Sequence, residues 1–329
     1  MPVLPADNYT PPIWLRNGHI NTLYAYLFRR KIHHNYLRQR YITPDDDFFD
    51  VDWLKTKNNH RLAILLHGLE GSSSSQYIMG TTYALHQHGY DIAAINFRSC
   101  SGDMNTQAVM YHSGWTVDLH QFVSKENSHY DEIFIVGFSL GGNVTMKYCG
   151  DGLYPLDEKI KAVVGVSVPC DLKAGSQKIK TLENHLYEQK FIETLLRKIR
   201  IKYRQFPDLI DGSKIDDVKT LWDFDDFFTA PVHGFKNAEV YYNTCNSLQF
   251  LHNINIPALI VNALDDSFLP DSSYPYSQAD ANDCLYLMTP KYGGHVGFTT
   301  FKSPYYWIET VILDFCNKYS TYKKGIIYG

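Results

Sequence analysis

Three side chains of this sequence, a serine, a carboxylate and a histidine in chain order, have the types needed to activate a hydroxyl for attack on a carbonyl carbon. The serine is Ser139, in Gly137-Phe138-Ser139-Leu140-Gly141. β-formers (Ile133 to Val136) precede it and a helix-like run (Val144 to Tyr148) follows. A strand that turns abruptly into a helix holds its corner residue under strain, and glycine around the corner removes the collisions side chains would make there. The turn lifts the hydroxyl clear of the sheet. A serine hydroxyl is a poor nucleophile at neutral pH. It needs a base, and the base needs an orienting carboxylate.

Both partners lie downstream in the required order. "NALDDSFLP" (262–270) offers Asp265 and Asp266 after one strand-like run, and "YGGHVGF" (292–298) offers His295 after the next. Small neighbours, Gly293, Gly294 and Gly297, let an imidazole reach a crowded centre. Asp266 stands four residues before Pro270, in D-x-x-x-P spacing, and is the preferred carboxylate. Asp265 is expected to cap or brace the turn. A tetrahedral intermediate also needs donors, and backbone amides are already oriented for this. The Leu140 amide, directly after the serine, is one candidate. The Leu69 amide is the other, in "HGLEGSSSS" (67–75).

These groups need a sheet that presents its loops at one edge. Short apolar runs recur along the chain: Phe48–Trp53, Leu62–Leu66, Ile92–Asn96, Ile133–Val136, Ala162–Val168, Ala258–Val261 and Leu285–Met288. Most are continuous rather than alternating, as strands covered on both faces should be. Helix-sized stretches separate them (Tyr77–His88, Trp115–Lys125, Gly142–Gly150, Tyr305–Tyr319). The reading is an α/β fold with a mostly parallel, doubly covered sheet. From 171 to 251 the rhythm breaks and helical patterning takes over, a span too long for an ordinary connection. The expected organisation is an N-terminal wrapping or lid segment (1–45), a core (46–170 and 252–329) and a helical cap insertion (171–251). Leu182, Leu186, Phe191, Leu195, Phe224, Phe227 and Phe228 are expected to give the cap an apolar wall.

The bulk composition excludes several function classes. The formal net charge of −4 is dispersed, so no nucleic-acid surface is indicated. The first residues, MPVLPADNYTPP, carry neither a basic n-region nor an apolar h-region, and no run reaches membrane-spanning length. Six cysteines show no CxxC and no pairing rhythm, which fits a reducing, cytoplasmic setting. His19 and His112 have no metal-ligand spacing around them, so neither metal nor cofactor is expected. Arg98 and Cys100 follow a strand end near the expected site, and Arg98 reads as a brace between loops.

"LHGLEGSSSSQY", "NFRSCSGD", "YHSG", "GFSLGGN", "NALDDSF" and "GGHVGF" together resemble the YheT-like hydrolases, the AB hydrolase 4 group of the α/β-hydrolase superfamily. "PPIWLRNGHINTL" (11–23) is similar to the group's N-terminal motif, and the likeness spans about residues 11–300. Ser99, Asn21 and Ser267 stand where the group usually has glycine, glutamine and proline. The resemblance implies Ser139 as nucleophile, Asp266 as charge partner and His295 as base. It implies a serine esterase acting on a small-molecule acyl ester of short to medium chain. An acyltransferase or thioesterase on the same residues, or a ligand-binding protein that has lost turnover, are the alternatives.

Overall fold

The computed structural model describes residues 3–322 apart from positions 7, 30, 31, 57, 58 and 302. Nine strands form one sheet: β1 (Val3–Leu4), β2 (Leu37–Ile42), β3 (Phe48–Leu54), β4 (Arg61–Leu66), β5 (Asp91–Asn96), β6 (Glu132–Phe138), β7 (Ile160–Val166), β8 (Ala258–Val261) and β9 (Leu285–Met288). Their spatial order is β1-β9-β8-β7-β6-β4-β5-β3-β2. β3 runs antiparallel to β2 and β5, and the other pairs are parallel. In β4, Leu62, Ile64 and Leu66 enter the apolar core on one face while Ala63 and Leu65 enter the core on the other. This two-sided burial accounts for the continuous apolar runs.

Helix α1 (Gly18–Phe28) precedes β2, and α2 (Gln76–Gln87), α3 (Val117–Glu126) and α4 (Leu140–Gly150) follow β4, β5 and β6. α3 and α4 cover one face of the sheet. α2 and the last helix, Trp307–Tyr319, cover the other.

The segment 171–251 is helical throughout its regular parts. It includes α5 (Leu172–Ile179), α6 (His185–Gln205) and a helix at Ala238–Cys245. Ile179, Leu195, Ile199, Phe224 and Phe228 are buried and continuous with the α3–α4 core. Leu182 and Leu186 are not part of that wall: Leu182, in the turn before α6, and Leu186, in the first turn of α6, are 92% and 83% exposed.

The N-terminal segment 1–45 does more than wrap. β1 extends the sheet beside β9, and β2 pairs along its whole length with β3. β2 is an edge strand with mostly exposed side chains, so it lacks the apolar pattern of a core strand. Its register is fixed by cross-strand ion pairs, Arg38 with Asp52 and Arg40 with Asp50, each bidentate at 2.8 Å.

Candidate active site

Ser139 sits at the corner between β6 and α4 with φ 52° and ψ −118°. A non-glycine residue in this region stores about 1–3 kcal/mol of strain, held here by the strand and helix on either side. Glycine is required around it: a Cβ on Gly141 would lie 2.5 Å from the His67 carbonyl oxygen and 2.6 Å from that of Leu66. The Ser139 amide donates to the Val166 carbonyl at 2.8 Å, tying the corner to β7.

His295 Nε2 lies 2.9 Å from Ser139 Oγ, and its Nδ1 lies 2.9 Å from Asp266 Oδ2. Asp266 and His295 are buried. The Phe268 amide donates to the other Asp266 oxygen at 2.9 Å, and the Phe268 ring stacks on the His295 imidazole at 4.3 Å. Of the two adjacent aspartates, Asp266 therefore touches the imidazole. Asp265 instead accepts the Gly294 N–H at 2.8 Å and so braces the loop that carries His295. Burial pushes the Asp265 carboxyl up to about 6; the Gly294 amide opposes that rise and the neighbouring Asp266 adds to it.

The His295 loop is held against its own conformational preference. Gly294, Val296 and Phe298 have positive φ, the last two with side chains that disfavour it. Thr22 Oγ accepts the His295 N–H at 2.8 Å while donating to the Gly18 carbonyl at 2.7 Å. Asn21 Oδ1 accepts the Thr299 N–H at 3.2 Å, and Ser167 Oγ accepts that of Val296 at 3.0 Å. Asn21 and Thr22 belong to α1, whose path was illegible in the sequence. The signal for them was the N-terminal motif "PPIWLRNGHINTL", which gave no partner.

The loop after β4 lies against the serine: a Cβ on Gly68 would come within 3.1 Å of the Ser139 Cβ. Its shape is fixed by three rings, His67 and Tyr111 buried and Tyr77 half-buried. His67 donates from Nδ1 to the Gly68 carbonyl at 2.7 Å and accepts the Phe97 amide at Nε2, 3.1 Å. Burial lowers the His67 pKa to about 3, so it stays neutral in that role. Tyr77 OH accepts the Gly68 amide, and Tyr111 OH accepts the Glu70 amide. Lys198, from α6, pairs with the Glu70 carboxylate at 2.7 Å and donates to Cys100 Sγ at 3.3 Å. Between these fixed points the Leu69 amide has no acceptor among the described residues, and neither does that of Leu140.

A cavity of about 140 Å³ opens above Ser139 and His295. Core loops and cap share its wall, Leu69, Leu140 and Met110 from the first and Phe191, Leu195 and Phe228 from the second. His112 also lines it, and burial lowers its pKa well below the ordinary value. Arg98 stays out of the site. It is buried against Asp118 of α3, at 2.9 and 3.0 Å, and also donates to Asp45 and Asp47 of the β2–β3 turn, bracing that turn and the helix to its own loop.

The profile of the α/β hydrolase fold family matches residues 63–300. The chain belongs to that family. Within it, the chain is YheT-like: it is 32% identical to YheT of Escherichia coli (strain K12) over 95% of this chain and 94% of that protein. It is 26% identical to the human monoacylglycerol lipase ABHD2 over 96% of this chain and 81% of that one. Among solved structures, the Pyrococcus furiosus esterase Pf2001 superposes with a TM-score of 0.57 at 15% identity, covering 88% of this chain and 96% of that one. The matched residues carry the sheet from β4 through β9.

Proposed function

We propose that this α/β hydrolase cleaves carboxylic esters through an acyl-enzyme on Ser139. The observation that carries the reading is the continuous chain Ser139 Oγ, His295 and Asp266, with both links at 2.9 Å, at the floor of a largely apolar cavity. His295 Nε2 takes the Ser139 proton as Oγ bonds to the ester carbon. The carbonyl oxygen, now an anion, is received by the Leu69 and Leu140 amides. His295 then gives the proton to the leaving alcohol as the C–O bond breaks. Water, deprotonated by the same imidazole, repeats the attack on the acyl-enzyme and frees the acid. Asp266 holds the proton on Nδ1 and stabilises the imidazolium. The provisional esterase name of the bacterial relative and the lipase name of the human one point the same way.

The cavity wall favours short- to medium-chain acyl groups. Each methylene buried there gains about 0.8 kcal/mol, or about fourfold in kcat/KM when the gain is realised in the transition state. The test is kcat/KM for p-nitrophenyl esters from acetyl to palmitoyl. The values should climb over several carbons and fall once the cavity is full. A profile flat or falling from acetyl onward rules out an acyl pocket, and no turnover of any ester by folded protein rules out the hydrolase.

A further inference from the structure

Helix α1 is turned inside out. Its polar residues Asn21 and Thr22 face the protein, where they hold the His295 loop. Its apolar residues face out: Leu23, Leu27 and Phe28 are 43%, 60% and 68% exposed. Trp14 and Phe301 extend this face. Their rings lie 5.9 Å apart, and both pack on Tyr24. A contiguous exposed apolar surface costs solvation free energy and marks a place where something docks.

The start of α1 is linked to the candidate site through a stack of rings. The His19 ring stacks on Tyr187 of α6 at 5.9 Å, Tyr187 packs on Phe268 at 4.9 Å, and Phe268 stacks on His295. That stack brings the start of α6 and the turn before it, with exposed Leu186 and Leu182, to the start of α1. The exposed apolar residues of the cap and of α1 are thus joined through one stack that ends on His295.

Charge decides the occupant. From Asn8 to Pro44 the sequence has no Asp or Glu, and of the described arginines there Arg29, Arg38 and Arg40 pair with Glu309, Asp52 and Asp50 from elsewhere in the chain, which leaves Arg16 without a carboxylate partner among the described residues. Arg16, two residues from Trp14, and Lys291 both lie over the Tyr292 ring, at 5.7 and 5.4 Å, and Lys291 too has no carboxylate partner among the described residues. Glu183, at the α6 end, is neutralised by Lys178. A two-fold dimer through this face would set the unpaired cations of each copy against those of the other. An anionic lipid surface instead answers both features: the apolar side chains enter the acyl boundary, the aromatic rings sit at headgroup level and the cations meet phosphate. No helix of the described residues is long and apolar enough to cross a membrane, so the helix lies on the surface.

We propose that the exposed face of α1, with Trp14 and Phe301, docks the protein on anionic lipid and opens the candidate site toward it. The inference goes beyond ester hydrolysis, and its assay measures binding alone. Sucrose-loaded vesicles of phosphatidylcholine containing one-third phosphatidylglycerol should sediment the wild-type chain. The double variant Leu23→Glu/Leu27→Glu should bind at least about tenfold more weakly. The double variant Arg16→Gln/Lys291→Gln should lose about fivefold per cation, on these vesicles but not on pure phosphatidylcholine. Both variants should keep the wild-type thermal midpoint and any hydrolysis of a short, soluble ester, which separates loss of docking from loss of fold or catalysis. Wild-type protein that ignores the vesicles, or binds no better than Leu23→Glu/Leu27→Glu, overturns the proposal. So does a wild-type dimer in light scattering that the same variant converts to monomer, since the face then belongs to a second copy.

Discussion

Ser139 and His295 meet across one hydrogen bond but are held in opposite ways. Ser139 is fixed by the residues beside it in sequence, β6 before and α4 after, with glycine where the corner is tightest. His295 stands in a loop of unfavourable φ values that its own sequence would not hold. Groups from positions 21, 22, 167 and 265 supply the bonds that keep it there. A nucleophile is thus encoded locally, and its base is assembled from distant parts of the chain. Strain at a site persists only where the surroundings over-determine it, and here the two halves reach that condition by different means.

The sharpest way to break this comparison is at the two adjacent aspartates. Asp266→Asn should lower kcat for a soluble ester by about 10⁴, because the amide leaves the imidazole in the wrong tautomer. Asp265→Asn should keep most activity, since it only braces the loop. The reverse ranking in steady-state kinetics would put the wrong carboxylate in the chain of bonds.

Asp265 also leaves a mark on stability. Its folded pKa of about 6 lies above the ordinary aspartate value. The folded state therefore holds more protons than the unfolded one between about pH 4 and pH 6. The stability that neutral Asp265 contributes is full below that window and lost as pH rises through it. The difference in unfolding free energy between wild type and Asp265→Asn should shift across this window, in favour of the variant at higher pH, by up to about 2–3 kcal/mol. Denaturant titrations at several pH values measure it. A pH-independent difference would mean that the carboxylate is already charged throughout.

A smaller effect is expected at the N-terminal brace. Thr22→Val keeps shape and removes the hydroxyl that accepts the His295 amide. A bond of this kind is worth about 1–1.5 kcal/mol, so kcat should fall about tenfold with KM little changed. Full activity would show that the loop holds itself.

The same contrast explains what was legible in the sequence. The parallel strands announced themselves because both faces are buried, and the boundaries differ by only a residue or two, as at Ile160–Val166. The Ser139 corner was legible because strand, glycines and helix are consecutive. Asp266 was separable from Asp265 through Pro270, although the bracing partner, Gly294, lies far away in sequence. β2 was missed because an edge strand exposes its side chains and uses arginines where a core strand uses valines. The function of α1 was missed for a related reason. Its polar residues point inward and its apolar ones outward, which inverts the periodicity by which a surface helix is recognised. Leu182 and Leu186 do not join the cap wall because helical spacing alone does not say which face of the cap meets the core.

Labelling with a fluorophosphonate, followed by peptide mass spectrometry, tests the central claim most directly. The reagent bonds only to a serine that a neighbouring base has activated. One adduct per chain is expected, on the peptide containing Ser139. It should disappear in Ser139→Ala and form far more slowly in His295→Ala, with ester turnover falling by about 10⁴ or more in both. A stoichiometric adduct on another residue with Ser139 unmodified, or no adduct on folded protein, would contradict the account.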